Sequence, residues 1–316
     1  MTKSKNNKTM NTKQIIGDLK NLVFKTAMVV PDNLYAQYTY FTFRHQFLNL
    51  KHPKTFDEKI WWLKFHYFNP LMTQCCDKWR VRRYVEDCGL KNILNPVFGH
   101  WSTFEDIDIN SIPDEDFYLK VNHVSGGNRL CHKSSFMKDK EALRLLFNYW
   151  LSENYYYHGR EYCYKNVKPC ILAEKVLRPS NKHLYDYKFL CFEGEPRLLL
   201  LDIGVANADG SHAKEYYRNI YDMNFLPMKD MRETRDFYHI DEIEKPVTWD
   251  FMIECCRKLS KPFPHCRVDL YSFDGKVYFG EITFFHGSGC NHFSPKESDL
   301  KLGSWIPLDH SYPKKY

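Results

Sequence analysis

An Asp-Gly pair at residues 274–275 separates two runs of alternating character, RVDLYSF and KVYFGEITFF. Asp-Gly accepts the positive φ of a tight turn, so the stretch predicts two antiparallel strands joined as a hairpin. That hairpin carries Arg267, Asp269 and Glu281 among apolar and aromatic neighbours, where charges are costly unless paired or bound to a metal. A two-residue loop would set Asp269 opposite Gly280 and turn Glu281 to the other face. A three-residue loop, with Gly275 left-handed, gathers Arg267, Asp269, Glu281 and Thr283 on one face. Val268, Leu270, Tyr278, Gly280 and Ile282 then share the other. Only this second register separates charged from apolar residues, and the pattern favours it. Two carboxylates on neighbouring strands raise each other's pKa unless a cation stands between them. Mg²⁺, hard and oxygen-seeking, suits that place, and Arg267 one pleat away would hold an anionic group on the metal. The competing reading is an arginine–carboxylate pair on a sheet edge.

The chain around the hairpin is long enough, at 316 residues, to bury a sizeable core. Residues 1–12 are polar and basic and read as disordered. Apolar residues recur at helical spacing from Gln14 to Val30, predicting an amphipathic helix. A second helix is expected around DNLYAQYTYFTFRHQFLNL, with strand as a rival. TFDEKIWWLKF opens on a capping box, Thr55 and Glu58, and TQCCDKWRVRRYVEDCG reads as one helix stopped by Gly89. From about residue 93, short β-rich runs alternate with helical segments at 141–153 and 249–260: ILNPVFGHW, DFYLKVNH, PCILAEKVL, YDYKFLCF and EPRLLLLDIGVA. EGEP at 193–196 is a turn between strands. The order indicates an α+β or α/β architecture.

The eleven cysteines form no metal or disulfide pattern, which indicates a reducing cytosol. No signal peptide or membrane span is visible; the run LVFKTAMVV is too short and contains a lysine. The expected location is therefore cytoplasmic. Net charge is +6, with the excess concentrated early. A basic front end of this kind can touch the inner, anionic face of a membrane or remain a solvated leader; nothing indicates nucleic acid as a partner.

Three further stretches carry unexpected charges. YLKVNHVSGGN is a strand with one interior lysine, Lys120, followed by a loop whose Ser125, Gly126 and Gly127 amides could close over phosphates. It is not a Walker motif, because the lysine precedes the glycines. ILAEKVL buries Glu174 and Lys175 at the end of an apolar run. DYKFLCF sets Asp186 and Lys188 on one strand face.

In this order, and with KTFDEKIWWLKF, DKWRVRRYV, NYYYHGREYCYKNVKP and KLGSW, the chain resembles the ATP-grasp ligases, and more narrowly their TupA-like branch of teichuronopeptide synthesis. The resemblance covers roughly residues 50 to 305. It implies an α+β ATP-grasp fold, two α+β subdomains gripping ATP, preceded by a helical N-terminal region. The implied boundaries are a basic extension at 1–50, a mostly helical region at 51–115, a small subdomain with the glycine loop at 116–176 and a large subdomain with the metal site at 177–316. ATP-grasp enzymes form an acyl phosphate from a carboxylate and ATP, and an amine then displaces phosphate. The resemblance gives Lys120 and Lys188 to the ATP phosphates, with the loop of Ser125, Gly126 and Gly127 above them. Glu174 and the backbone from Lys175 to Leu177 would hold adenine, and Asp186 the ribose. Asp269 and Glu281, with Thr283, would bind Mg²⁺, and Arg267 would steady the transferring phosphoryl group. Such chemistry is mainly positioning and charge neutralisation. The chain departs from the usual pattern at Thr283, where many members carry Asn, at Val124 for a loop glycine, and at His286 for a proline.

The branch implies amide formation between a uronic acid of a cell-surface glycan or its precursor and a small amine. Candidate uronate contacts are Lys78, Arg82 and Arg160, the first two at i, i+4 on one helix face; a solvated basic face is the alternative. His123 and His286 could assist amine deprotonation, and Ser288 joins the candidate substrate contacts. The aromatic run at 154–164 could carry sugar rings or belong to the core. A glycosyltransferase in the same biosynthesis is the rival reading. It would need a DxD-type metal site, and DID (106–108) and DED (114–116) match the letters but read as loop surface. A non-enzymatic polysaccharide- or membrane-binding protein would leave Lys120, Asp269 and Glu281 without a role.

Overall fold

The computed structural model describes residues 28–179, 184–205, 213–238 and 243–309. The leader 1–12 and nearly all of the helix expected over 14–30 lie outside them. The described chain enters through helix α1 (Asp32–Arg44), so helix prevails over strand in the aromatic-rich stretch. Helix α2 (Phe56–His66) begins with the expected capping box: Glu58 N–H donates to Thr55 Oγ1 at 3.3 Å and Thr55 N–H to Glu58 Oε2 at 3.0 Å. The next stretch is two helices rather than one, α3 (Pro70–Cys76) and α4 (Val81–Asp87). Asp77 makes the break, its Oδ1 accepting from the amides of Trp79 and Arg80. A short acidic side chain that captures nearby amides competes with helix continuation. Gly89 stops the second helix at φ 74°.

The small sheet has the order β1-β4-β2-β3. Its strands are β1 (Val97–Trp101), β2 (Asp116–Val121), β3 (Asn128–His132) and β4 (Ile171–Lys175), all antiparallel. β1 joins it from within the stretch read as mostly helical. Helix α5 (Lys133–Ser152), which starts eight residues before the expected 141, packs on β2 and β3. Phe117, Leu119 and Val121 point into that interface with Phe136 and Phe147, so the alternation of β2 leaves Tyr118 and Lys120 facing the other way. A single helical turn, α6 (Tyr156–Gly159), follows α5.

The large sheet, β10-β9-β5-β6-β7, holds β5 (Tyr185–Phe192), β6 (Glu195–Ile203), β7 (Tyr217–Tyr221), β9 (His265–Phe273) and β10 (Lys276–Thr283). A two-stranded ribbon pairs β8 (Arg232–Glu233) with β11 (Phe293–Ser294). Helix α7 (Trp249–Ser260) packs on β5, β6 and β9, and residues of α2, α3 and α4 share the same hydrophobic core. α8 (Lys296–Ser304) returns to α2. Among the described residues no helix is long and apolar enough to cross a membrane.

The hairpin reaches the expected face by a different route. Phe273 pairs with Lys276, so the loop has two residues, and Asp274 and Gly275 lie at φ 51° and 70°. That is the geometry of a tight hairpin turn matched to strand twist. A bulge between Phe279 and Glu281 then shifts the register by one and sets Glu281 opposite Asp269 and Thr283 opposite Arg267. The extra residue is Gly280, where a Cβ would stand 2.9 Å from the Asp269 carbonyl oxygen. One expectation is corrected: Tyr278 lies opposite Tyr271 on the charged face, and Val277 and Phe279 take the apolar side.

Candidate active site

Between the two sheets lies a cleft of about 450 Å³. The small sheet contributes Lys120, Glu174 and the loop Ser125–Gly126–Gly127; the large sheet contributes Asp186, Lys188, Arg267, Asp269 and Glu281. Lys78, Arg82, Lys175, Leu177 and His286 complete the sequence-predicted residues on its walls. A second opening of about 610 Å³ runs outward from Asn95, Lys175 and Leu177 to Phe273 and Tyr278 at the hairpin tip.

The large-sheet charges meet because strands β6, β5 and β9 are neighbours. Lys188 lies opposite Asp269, and Asp186 opposite Asp202. Lys188 Nζ donates to Asp186, reaches Asp269 Oδ2 at 3.2 Å and stands 3.8 Å from Asp202. Arg267 grips Asp269 through Nε (2.6 Å) and Nη2 (2.7 Å), and Nη2 also donates to Glu281 Oε1 at 2.9 Å. The cation between the two carboxylates is therefore Arg267 itself. Burial opposes the charge on Asp269, but Arg267 and Lys188 outweigh it and hold the carboxyl below the usual range. Burial, reinforced by Asp269 and Asp202, instead lifts Asp186 to about 6 against the pull of Lys188.

On the facing sheet, Lys120 Nζ donates to Glu174 across β2 and β4. Glu174 is half-buried, whereas Lys175 is exposed and pairs with Glu115 at 3.4 Å, which corrects the expectation that both are buried. The Lys175 backbone anchors the connection between the lobes: its N–H donates to Pro96 O, and its carbonyl accepts from Asn95 Nδ2. In the glycine loop Gly126 has φ 71° and open space where a Cβ would go, while a Cβ on Gly127 would strike Val121 and Val124 at 2.4 Å. Lys78 Nζ donates to Val124 O at 2.7 Å beneath this loop, and Arg82 Nη1 to Asn95 O at 2.8 Å. Burial lowers the pKa of both cations. Lys78 stands in the turn before α4 rather than on one helix face with Arg82.

Other candidates lie outside the cleft wall. His123 is buried between Asn122 Oδ1 and Glu153 O, each 3.1 Å from a ring nitrogen. Arg160 pairs with Asp32 at 2.9 Å and sits over Tyr35, tying α1 to the segment after α5. Ser288 Oγ and O accept from Lys64 Nζ at 2.8 Å each, which pins the 286–289 turn to α2. Thr283 Oγ1 donates to Glu281 Oε1 at 3.1 Å. Asp106 and Asp108 are engaged in local turn bonds, and Asp116 pairs with Arg178 and His132.

Asp202, Arg218 and Glu233 were not among the expected residues, yet all three are buried beside the site. Arg218 forks onto Asp202 at 2.5 and 2.7 Å and donates to Glu233, whose other oxygen accepts from His286 Nε2 at 2.9 Å. His286 Nδ1 lies 3.1 Å from Arg267 Nη1. The contacts close a ring of Lys188, Asp269, Arg267, His286, Glu233, Arg218 and Asp202. Asp202 did leave a signal, a lone acid ending the run LLLL; Arg218 and Glu233 left none, since only strand order brings them close.

The donor set fits a metal–nucleotide pair. Among the described residues no three acidic, His or Cys side chains form a ready metal cage. Mg²⁺, however, is commonly held by one or two carboxylates together with phosphate oxygens, and Asp269 and Glu281 supply the two. Asp186 Oδ1 is buried without a hydrogen-bond partner among the described residues, a place for a hydroxyl donor such as a ribose.

Similar structures include the D-cycloserine synthetase DcsG, at 13% identity and TM-score 0.43 over 75% of this chain and 71% of that one. The ATP-grasp ligase PsnB with a minimal precursor shows 13% identity and TM-score 0.40, covering 69% and 55%. D-alanine–D-alanine ligase from Bacillus anthracis shows 14% and 0.39, covering 67% and 57%. This chain thus spans a little over half the length of the last two. No curated protein matches it in sequence. The model of the TupA-like ATP-grasp family matches residues 58–307, most of the chain and every wall of the cleft. The chain belongs to the TupA-like ATP-grasp family.

Proposed function

We propose that the protein is an ATP- and Mg²⁺-dependent carboxylate–amine ligase that forms an amide bond and releases ADP. The observation that carries this reading is the meeting, in one cleft, of Lys120 and the glycine loop with Lys188 and Arg267 beside the Asp269–Glu281 pair. Bound ATP with Mg²⁺ would supply the phosphoryl group that activates the carboxylate as an acyl phosphate. Asp269 and Glu281 would hold the metal, and Asp186 the ribose. Lys120 and Lys188 would neutralise phosphate charge, and Arg267 would stabilise the charge that develops during transfer.

The carboxylate is assigned to a uronic acid of a cell-surface glycan or its precursor, and the nucleophile to a small amine. Lys78 and Arg82 support an acidic substrate, since each is held by a backbone carbonyl and neither forms a carboxylate ion pair among the described residues. Use of ATP puts the reaction on the cytoplasmic side of the membrane.

The test is ATP binding by calorimetry with Mg²⁺, followed by ADP release across a panel of uronic acids and amines. Lys120→Ala should weaken binding by roughly one to two orders of magnitude, and the double change Asp269→Asn, Glu281→Gln should remove its Mg²⁺ dependence. A native chain that ignores ATP but binds a sugar nucleotide would sink the ligase reading in favour of glycosyl transfer.

A further inference from the structure

Arg267, the group assigned to the transferring phosphoryl, is held on two sides. Asp269 and Glu281 take its Nε–H and both Nη2–H groups. On the far side, one Nη1–H reaches His286 Nδ1 at 3.1 Å. Four of the five guanidinium N–H groups are thus engaged. His286 is 1% exposed, and its other nitrogen lies 2.9 Å from Glu233. A guanidinium only donates and a carboxylate only accepts, so one protonation state satisfies both neighbours: a neutral ring with its hydrogen on Nε2. Glu233 is kept ionised by Arg218, which it shares with Asp202. The loop bearing His286 is itself fixed, because Trp61 Nε1 donates to Gly289 O at 3.0 Å and Lys64 Nζ to Ser288 O.

We infer that Glu233 and His286 are positioning residues for Arg267: Glu233 fixes the His286 tautomer, and His286 Nδ1 then aims the guanidinium across the cleft. The inference rests on the ligase reading for its consequence, but the relay itself is a property of the free protein. Neither residue belongs to the metal or nucleotide contacts. His286, in the loop after β10, was among the sequence candidates in another role, and Glu233, in the two-residue strand β8, left no sequence signal. The arrangement also gives the ring of buried charges a purpose beyond mutual neutralisation. A buried arginine held only by carboxylates on one side could swing about that contact; an acceptor on the opposite edge removes the freedom, and preorganised charge is what stabilises a transition state.

The test begins with the full chain labelled with ¹⁵N-histidine. The ring of His286 should show a bare Nδ1 and a protonated Nε2, and Glu233→Gln should convert it to a mixture of tautomers. A native ring protonated at Nδ1, or an imidazolium, overturns the relay. ADP release is then compared in His286→Asn, whose Oδ1 can stand in for Nδ1, and His286→Leu, of similar size with no acceptor. The leucine variant should lose roughly 10–100-fold in kcat, the range typical for removing an orienting partner, with KM for ATP within about threefold. The asparagine variant should recover much of that loss, and the other histidine signals show whether each variant is folded. A folded leucine variant with native kcat overturns the inference. Should the native chain release no ADP with any carboxylate and amine, the ligase reading fails, while the tautomer measurement still decides whether the relay exists.

Discussion

Two lysines on two strands each bond a carboxylate, and they do so in opposite settings. Lys120 on the small sheet meets Glu174 with 26% and 18% of the two side chains exposed. Lys188 on the large sheet meets Asp186, Asp269 and Asp202 with 10% or less of any of them exposed. The first pair is half-buried, still reached by water, and simple; the second is dry and one link in a closed ring. Surface pairs contribute little because solvent screens them and side-chain entropy opposes them. Buried ions must be matched by neighbours, so removing one strands the rest. The small lobe can therefore exchange its lysine's partner for a ligand cheaply, whereas Lys188 and its three carboxylates in the large lobe are locked before any ligand arrives.

Lys188→Met sharpens the contrast most. It leaves Asp186, Asp202 and Asp269 buried around an uncharged side chain, and breaking a buried pair in this way costs about 3–5 kcal/mol. Urea denaturation should show the loss as a lower midpoint with an unchanged slope. An effect below about 1 kcal/mol, the range of an exposed pair, would mean that the ring is loose and that the two lobes do not differ as described.

A smaller effect, of opposite sign to ordinary acid denaturation, comes from Asp186. Burial, above all, lifts its folded-state pKa to about 6, above the ordinary aspartate value of 3.8. The native state therefore holds a proton that the unfolded chain releases first, and the stability this confers is present below pH ~4 and lost as pH rises to ~6. Asp186→Asn keeps the shape and removes the titration, so its stability relative to the native chain should grow by on the order of 1–3 kcal/mol across that window. A pH-independent difference would place the proton elsewhere in the ring. No such slope belongs to Glu233, which Arg218 and His286 hold at about 2 despite burial.

The sequence revealed the site where a charge interrupts an apolar strand, since that pattern has few inexpensive explanations. Lys120, Asp186, Lys188, Arg267, Asp269 and Glu281 stand out for this reason, and the cleft brings all six together. The face of Glu281 was legible too, although the mechanism was not: a period-two pattern reports which side residues share, and both a longer loop and a bulge at Gly280 satisfy it. What stayed hidden depends on sheet order. Arg218 and Glu233 sit on strands whose neighbours no local pattern names, and β8 is only two residues long. Arg160 and His123 lie off the cleft wall, each with partners elsewhere. A charged side chain in an aromatic stretch looks like a ligand contact, yet Arg160 is engaged by Asp32, Val30 O and Tyr157 O.

The smallest effect on stability is expected from Lys120→Met, and it tests the comparison from the other side. Glu174 keeps access to water when its partner is lost, so the fold should lose less than about 1 kcal/mol. The lysine nevertheless lies on the wall of the same cleft as Ser125 and Gly126, where the ligase reading puts phosphate. ATP affinity should therefore fall by one to two orders of magnitude, as expected for loss of a charge-assisted contact worth about 1.5–3 kcal/mol. Stability and binding would then part company in the small lobe. In Lys188→Met they should fall together, because the ammonium that the ligase reading gives to phosphate also holds the buried carboxylates in place. If Lys120→Met destabilises the protein as much as Lys188→Met, the Lys120–Glu174 pair is a structural strut and the exposed lobe is no readier for ligand exchange than the buried one.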